Sequence, residues 1–473
     1  MTASGELPAD EGLLERLRMK PVRSLSGVAT VSVLTRPYPC PGECIFCPND
    51  PSMPKSYLAD EPGALRAAQN AFDPFRQAFS RLSSLESVGH PTGKVELLIL
   101  GGTWNAYPRS YREQFVRRLL DALNGEDSDS LDLAQKRNEH AERRCVGLVV
   151  ETRPDVLTAD EMRHMRRLGV TKIQVGVQSL DDRILSLNRR GHTTEETRRA
   201  FRIMRSAGFK IHAHWMPNLL GATPQSDVAD FARLFEDPAL RPDELKIYPT
   251  VLTAKSPLYA LYKRGEYRPY AYEELLELMA AIKVLIPPYC RVNRLARDIP
   301  VRHVVEGNRR SNLREEAQRL LAARGARCRC IRCREVRGRK VDRKTLRRDD
   351  LAYAAGAAQE RFLSFVTPDG WLAGYLRLSL PENPVPEIDW EDLRGAAIIR
   401  DLHIYGQTLP LGGSRNGAAQ HLGLGAELLS SAEQIARKAG FSRLAVISAV
   451  GTRDYYRSRG FADGELYSVK ELH

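Results

Sequence analysis

Three cysteines fall within eight residues, Cys40, Cys44 and Cys47 in CPGECIFC, spaced C-x3-C-x2-C. Tetrahedral metal sites and four-iron clusters usually take four protein ligands. A structural zinc knuckle would need its fourth ligand close by, and none follows Cys47 locally. Three thiolates on a four-iron cluster instead leave one iron open to a substrate or cofactor. A second triad, Cys328, Cys330 and Cys333 in CRCIRC, raises the same arithmetic. With Cys145 and Cys290 alone outside these clusters, the cysteine usage points to metal or redox chemistry rather than a disulfide framework.

Other short stretches carry chemistry of their own. GGTW holds Gly101, Gly102 and Thr103, whose glycines let backbone approach a ligand. ETRPD contributes Glu151, GVQS contributes Gln178, and Lys172 lies just upstream as a candidate for the same cleft. A plain turn, a Glu151–Arg153 ion pair, a satisfied polar side chain and a surface lysine are the bland alternatives. Near the C-terminus, Gln420, His421, Leu422, Gly423, Leu424 and Gly425 form a glycine-rich loop before a helix. Backbone N–H groups at a helix start favour a phosphate. Tyr455 and Tyr456 stand in DYYRSRGF.

Charge adds a further signal. The net charge is +12, and residues 309–348 hold sixteen Lys or Arg against four Asp or Glu, a surplus as large as that of the whole chain. Such a segment is either a solvated basic face or a contact for a polyanion, since cations gain by displacing counterions from phosphates. Arg309, Arg310, Arg337, Arg339, Lys340 and Lys344 are the candidate contacts.

The elements that must position these residues are legible as apolar runs. GVATVSVL, KVELLIL, RCVGLVVE, TKIQVGVQ, FKIHAHWM and ELKIYPTV alternate with amphipathic stretches such as TEETRRAFRIMRSAGF. Six strand–helix units predict a parallel α/β fold, a partial barrel with its site at the C-terminal ends of the strands, or alternatively an open doubly wound sheet. CPGECIFC, GGTW, ETRPD and GVQS all follow predicted strands. Residues 271–348 read as a basic helical linker. From 349 onward a hairpin (RFLSFVTPDGWLAGYLRLSL), a strand, the glycine-rich loop, a helix and a strand predict a separate small α/β domain. The expected divisions are 1–19, a tail; 20–270, the barrel; 271–348, the linker; and 349–473, the second domain. The chain shows no apolar run of membrane-spanning length and its N-terminal stretch lacks a signal-peptide core, so a cytoplasmic protein is expected.

The first triad, with Phe46 before its last cysteine, resembles the signature of the radical S-adenosylmethionine superfamily. That resemblance implies a [4Fe-4S] cluster on Cys40, Cys44 and Cys47. It also implies S-adenosylmethionine held by Gly101, Gly102, Thr103, Glu151 and Gln178. The C-terminal segment resembles a GNAT-type acetyltransferase, which implies acetyl-CoA on the loop 420–425 and Tyr456 near the thioester. Together the halves resemble the Elongator catalytic subunit family, prokaryotic branch, through RPYPCPGECIFCP, LGGTWNAYP, RCVGLVVETRPD, IQVGVQSLDD, LKIYPT, RDLHIYG and QHLGLG. The resemblance implies a tRNA-modifying enzyme. The resemblance further implies that a 5′-deoxyadenosyl radical removes hydrogen from the acetyl methyl, that the carbon adds to C5 of the wobble uridine, and that hydrolysis leaves 5-carboxymethyluridine. It implies an electron donor to the cluster and docking of the tRNA anticodon arm by the basic segment. A monomer or homodimer is expected; other Elongator subunits are not implied. The second triad reads as structural Zn2+, its fourth ligand being His303 or Cys290. Two other readings compete: a protein lysine acetyltransferase, for which His403 is the candidate base, and a non-catalytic tRNA-binding module.

Overall fold

The computed structural model describes residues 27–382, 385–406 and 423–473. Gln420, His421 and Leu422 of the glycine-rich loop, and the N-terminal tail, lie outside the described residues.

Seven strands form the first sheet: β1 (Ala29–Leu34), β2 (Lys94–Leu100), β3 (Arg144–Thr152), β4 (Lys172–Gln178), β5 (Lys210–Trp215), β6 (Glu244–Ile247) and β7 (Arg291–Arg294). They pair in chain order and all in parallel. The result is a half-barrel, with every strand's C-terminal end on one side. Alternation explains its two faces. On β4, Ile173, Val175 and Val177 join the apolar core, while Gln174, Gly176 and Gln178 line a cleft on the other face. The helices between strands start on recognisable signals. Thr193 and Glu196 make a reciprocal capping box for Thr194–Ser206, and Asp73 caps Pro74–Glu86 ahead of a proline at the first turn.

The sheet carries one strand more than the six units read from sequence. β7 is RVNR, four residues with a single fully buried side chain, and offers no apolar run to detect. It draws on residues expected in the linker, so the sheet does not stop at 270.

The second sheet contains β8 (Arg347–Ala355), β9 (Ala358–Val366), β10 (Leu372–Pro381), β11 (Ala396–Ile404), β12 (Arg443–Val446), β13 (Ala462–Asp463) and β14 (Ser468–Glu471). Its order is β13-β14-β12-β11-β10-β9-β8, with only β11 and β12 parallel. The expected hairpin is β9–β10, closed by a turn in which Gly370 N donates to Thr367 O at 2.8 Å. Helix Leu424–Lys438 packs on β10 and β11.

The two sheets are joined by buried charge. Asp243, just before β6, receives Arg400 of β11 at 2.7 Å and 2.9 Å, with Arg205 and Arg377 each at 3.3 Å. Arg400 also holds Glu360 of β9 at 2.8 Å. Burial would raise the Asp243 carboxyl, and Arg400, Arg205 and Arg377 outweigh it, holding it well below the usual carboxylate range. Among the described residues no helix is long and apolar enough to cross a membrane.

Candidate functional site

The loop after β1 turns back at once. Thr35 N donates to Leu100 O at 3.0 Å, and the proline-rich stretch 37–41 then carries the chain to the cysteines. Ile45 anchors the loop twice, its N–H donating to Asn188 O at 3.2 Å and its carbonyl accepting from Leu258 N at 2.9 Å. Phe46 packs with Ile184, Leu219, Leu252 and Leu258 and also lines the cleft. That cleft encloses about 1030 Å3, open solvent at its mouth included, and brings together Cys40, Cys44, Cys47, Phe46, Gly102, Thr103, Glu151 and Gln178.

Cationic groups surround the thiols. Arg190 Nη1 is 3.5 Å from Cys44 Sγ and Arg153 Nη1 is 4.0 Å from it. Arg153 is fixed by Asp155 at 2.9 Å and by the carbonyl of Arg190 at 2.8 Å, while Arg190 reaches the carbonyl of Gly176 at 2.7 Å. Arg153 therefore turns to the cluster loop and not to Glu151. A Cβ at Gly42 would overlap Arg153 Nη1, so the glycine is what lets this cation approach. The hydrogen bond from Cys47 lowers the Cys44 thiol to about 5 against the effect of burial, with Arg190 and Arg153 adding to the shift. Sequence reading missed Arg190 altogether, since NRRGH carries no motif.

The donor set discriminates between the two triads. A single tetrahedral ion bonds sulfur at about 2.3 Å, which places its thiolates within about 4 Å of one another. Among the described residues, Cys328, Cys330 and Cys333 form a group whose ligand atoms all lie within 4.8 Å, and Cys40, Cys44 and Cys47 do not. The second triad suits a single ion; in the first, Cys44 and Cys47 are in hydrogen-bond contact and Cys40 lies farther from at least one of them.

Around the first triad, Gly101 (φ 137°) and Gly102 (φ 94°) occupy backbone that disfavours any other residue, and a Cβ at Gly101 would overlap Thr35 Oγ1. Thr103 Oγ1 is 3.5 Å from Cys40 Sγ. Glu151 accepts from Tyr57 OH at 2.9 Å. Gln178 is 7% exposed, sits at φ 67°, and leaves its Oε1 without a partner. A strained, buried, unpaired acceptor on a cleft wall suits a ligand's donor groups, as S-adenosylmethionine would offer.

Lys172 corrects the sequence reading. It does not line the cleft: its ammonium lies in the half-barrel interior, 2.7 Å from Glu96 and 3.2 Å from Glu244. Opposite charges outweigh burial and raise it. Lys246, unmarked in the sequence, lies nearer: it donates to Gln174, a cleft residue, and burial lowers it to about 8.

In the second domain, Gly423 (φ 72°) leads into the helix at Leu424, and Gly425 lies in its first turn. A Cβ at Gly425 would come 2.9 Å from Tyr455 OH, so that phenol covers the helix start. Tyr456 is buried beside it, ring centroids 5.2 Å apart, and burial pushes its hydroxyl well up. The short helix Arg453–Arg457 carrying both tyrosines is seated on the half-barrel: Glu139 pairs with Arg453 at 2.9 Å and Arg457 at 2.7 Å. His403, half-buried with its ring tilted 55° to that of Tyr405 at 4.5 Å between centroids, is lowered to about 4, chiefly by desolvation.

His303 is a second correction. It is not at the second triad: its Nε2 is 2.6 Å from Asp60, beyond the cluster loop. Cys290 reaches the triad region through its carbonyl, which accepts from Ile331 N at 2.9 Å, and its thiol, raised first by burial, is near enough to Cys330 to be raised by it too, though its sulfur lies outside the group of three. Gln318 Nε2 is 3.2 Å from Cys333 Sγ. Arg309, Arg310, Arg337, Arg339, Lys340 and Lys344 are all exposed. Arg310 stacks over Tyr272 at 4.0 Å and Arg339 over Trp371 at 3.7 Å.

Residues 38–235 match the family model "Radical SAM superfamily", and residues 242–322 match "Radical_SAM C-terminal domain". The chain is 42% identical over 458 residues to a tRNA uridine(34) acetyltransferase of Dehalococcoides mccartyi, covering 95% of this chain and 99% of the relative. It is 38% identical over 480 residues to human Elongator complex protein 3, covering 97% of this chain and 87% of that protein. The solved structure of archaeal Methanocaldococcus infernus Elp3 with an N-terminal deletion superposes with a TM-score of 0.83 at 36% identity, covering 95% of this chain and all of that one.

Proposed function

The chain belongs to the family of the tRNA uridine(34) acetyltransferases and Elongator complex protein 3, and from that premise we propose that it modifies the wobble uridine of tRNA, using acetyl-CoA to form 5-carboxymethyluridine. The observation that carries this reading is the cleft in which the cysteine triad, Gly102, Thr103, Glu151 and Gln178 converge, joined by buried ion pairs to a second domain whose short helix Arg453–Arg457 carries the tyrosine pair.

The [4Fe-4S] cluster and S-adenosylmethionine supply, when bound, the one-electron chemistry that activates an otherwise inert methyl group. The protein's part is placement, charge and exclusion of water. Cys40, Cys44 and Cys47 hold the cluster, and Arg153 and Arg190 balance its thiolates. Gly101, Gly102 and Thr103 let the cofactor approach the backbone, and Glu151 and Gln178 accept its donor groups. Gly423, Leu424 and Gly425 present backbone N–H groups to the acetyl-CoA pyrophosphate. Tyr456 keeps its proton at neutral pH because burial raises it, so it is suited to protonate the leaving thiolate. The exposed cations of 309–344 dock the anticodon arm. Cys328, Cys330 and Cys333 hold Zn2+ between the two domains.

Anaerobically reconstituted protein given S-adenosylmethionine, acetyl-CoA, a reductant and unmodified tRNA is expected to yield 5-carboxymethyluridine by nucleoside mass spectrometry. Unchanged tRNA with an intact cluster would sink the proposal. A lysine acetyltransferase would keep its activity after Cys40, Cys44 and Cys47 are replaced by serine.

A further inference from the structure

We propose that Tyr259 and Tyr262 form a stacking platform, at the edge of the cleft, for the single-stranded nucleotides that flank the base being modified. This rests on the reading that the substrate is tRNA. The two residues lie three apart on the short helix Leu258–Lys263, so both rings leave one face of it. The rings are nearly parallel, 17° apart, with centroids separated by 6.4 Å. Their position follows from backbone hydrogen bonds. The loop between β6 and this helix lines the cleft with Thr250, Val251 and Thr253. Lys255 O then accepts from Asn49 N at 3.0 Å, and Leu258 N donates to Ile45 O at 2.9 Å, which ties the helix to the cysteine loop on either side of Cys47. Both rings pack against the apolar cluster around Ile45 and Phe46 yet remain partly exposed.

Charge identifies the occupant. Lys263 Nζ stands over the Tyr259 ring at 4.9 Å and, among the described residues, has no carboxylate partner. Arg309 donates to the carbonyls of Val304 and Val305 at 3.1 Å and 2.7 Å, which leaves its charge unneutralised. Val305 packs on the same apolar cluster as the tyrosines, and its segment is paired to the cleft loop: Leu252 N donates to Glu306 O at 3.1 Å and Val305 N to Leu252 O at 2.9 Å. Neighbouring cations are already matched, Lys255 by Asp50 at 2.7 Å and Arg264 by Glu266 at 2.5 Å. Glu306, an acidic neighbour, accepts from Tyr262 OH at 3.4 Å, which steadies that ring. Aromatic faces with free cations beside them hold single-stranded nucleic acid without reading its sequence, because bases stack and phosphates meet the charges. A base that enters a cleft leaves its own stack, and its neighbours then lack a partner at the cleft's edge. An aliphatic pair would cover Ile45 and Phe46 equally well, but would give those neighbours no face to stack on. The tyrosines thus join the cleft to the basic segment that begins at Arg309.

The test uses full-length protein, its first triad loaded anaerobically with iron and sulfide, and anticodon stem-loop RNA as the probe. The photoreactive base 5-iodouridine, placed at the nucleotides flanking the target, should cross-link under long-wave ultraviolet light, with the adducts found on Tyr259 or Tyr262 by mass spectrometry. Tyr259→Leu and Tyr262→Leu should each weaken stem-loop binding roughly 5- to 150-fold, the range of one base stacked on one ring. Tyr259→Phe and Tyr262→Phe, which keep the rings, should lose far less. Lys263→Gln should reduce the slope of log affinity against log salt by about 0.7, one phosphate contact on a single strand. Lys263 is exposed and lies outside the packing on the cysteine loop, so this variant keeps the test alive if the leucine variants lose iron or fail to fold. Cross-links confined to other residues, unchanged affinity in both leucine variants, or an unchanged salt slope in Lys263→Gln would overturn the platform while leaving tRNA as the substrate. Wild type that binds no stem-loop even at low salt would overturn both.

Discussion

At the level of single residues, small side chains and cations do the positioning. Arg190 is the neighbour of the first triad that the sequence left unmarked, 3.5 Å from Cys44. Replacing a group that orients and balances a metal ligand typically costs 10–100-fold in metal binding or activity. Arg190→Met is thus expected to lower iron loading or turnover by about 10–100-fold, read by iron and sulfide content alongside deoxyadenosine formation. Tyr456→Phe should act on the other half. Loss of a general acid costs roughly 10²–10⁴-fold, so acetyl-CoA hydrolysis should fall in kcat while cleavage of S-adenosylmethionine persists. Because burial holds the Tyr456 proton well above the usual phenol range, wild-type hydrolysis should show no loss of this acid through neutral pH. Equal loss of both half-reactions would show a structural role instead. Of these residues, the cysteines and glycines were legible because chemistry or backbone geometry restricts them to one residue type. Arg190 was not, since an arginine beside an arginine in a loop reads as surface until the fold brings it to a sulfur.

At the level of elements, the apolar runs mark strands and capping residues mark helices, which made β1 to β6 readable. β7 escaped because RVNR is short and has one apolar residue in four, and its partner β6 supplies what its own sequence lacks. Lys172 escaped for a related reason. Strand alternation shows that it points to the same face as Gln174, but not how far down the barrel it sits. Its depth follows from Glu96 and Glu244, which lie on β2 and β6. Helix Pro224–Glu236 offers a test at this scale. Asp227 accepts from Asn218 N at 2.8 Å and Tyr270 OH at 2.8 Å, and burial outweighs both, raising its carboxyl to about 7. A carboxyl raised in the folded state binds a proton that the unfolded chain has released. Stability is therefore full below about pH 4 and falls as pH climbs toward 7. Asp227→Asn should remove up to about 4 kcal/mol of that fall, measured by urea unfolding at several pH values. An unchanged slope would contradict it.

Across the whole molecule, the long-range pairings were the least legible. Nothing near Asp243 in the sequence announces Arg377 or Arg400, and nothing near Glu139 announces Arg453 and Arg457. Asp243→Asn would leave Arg400 and Arg377 short of charge in a dry interface. Breaking such a buried network from one side costs about 3–5 kcal/mol, and the expected result is a lower denaturation midpoint with two separated unfolding steps. A single step at the wild-type midpoint would mean that the interface contributes little. The same interface bears on catalysis: its ion pairs set how the tyrosine helix sits on the half-barrel, so the coupled product should be lost in this variant even where each half-reaction survives.

The Asp243–Arg400 pair also has a consequence for how the protein is made. The two residues lie 157 positions apart. Nascent chains fold from the N-terminus as they emerge, so the ribosome releases a nearly complete half-barrel while most of the cations for Asp243 are still unsynthesised. During that interval the carboxylate has Arg205 alone of its three cations and must stay hydrated. Translation of the second sheet is thereby a licence for the first to finish, and a chain cut short after β7 should be recognised by cellular proteases as incomplete.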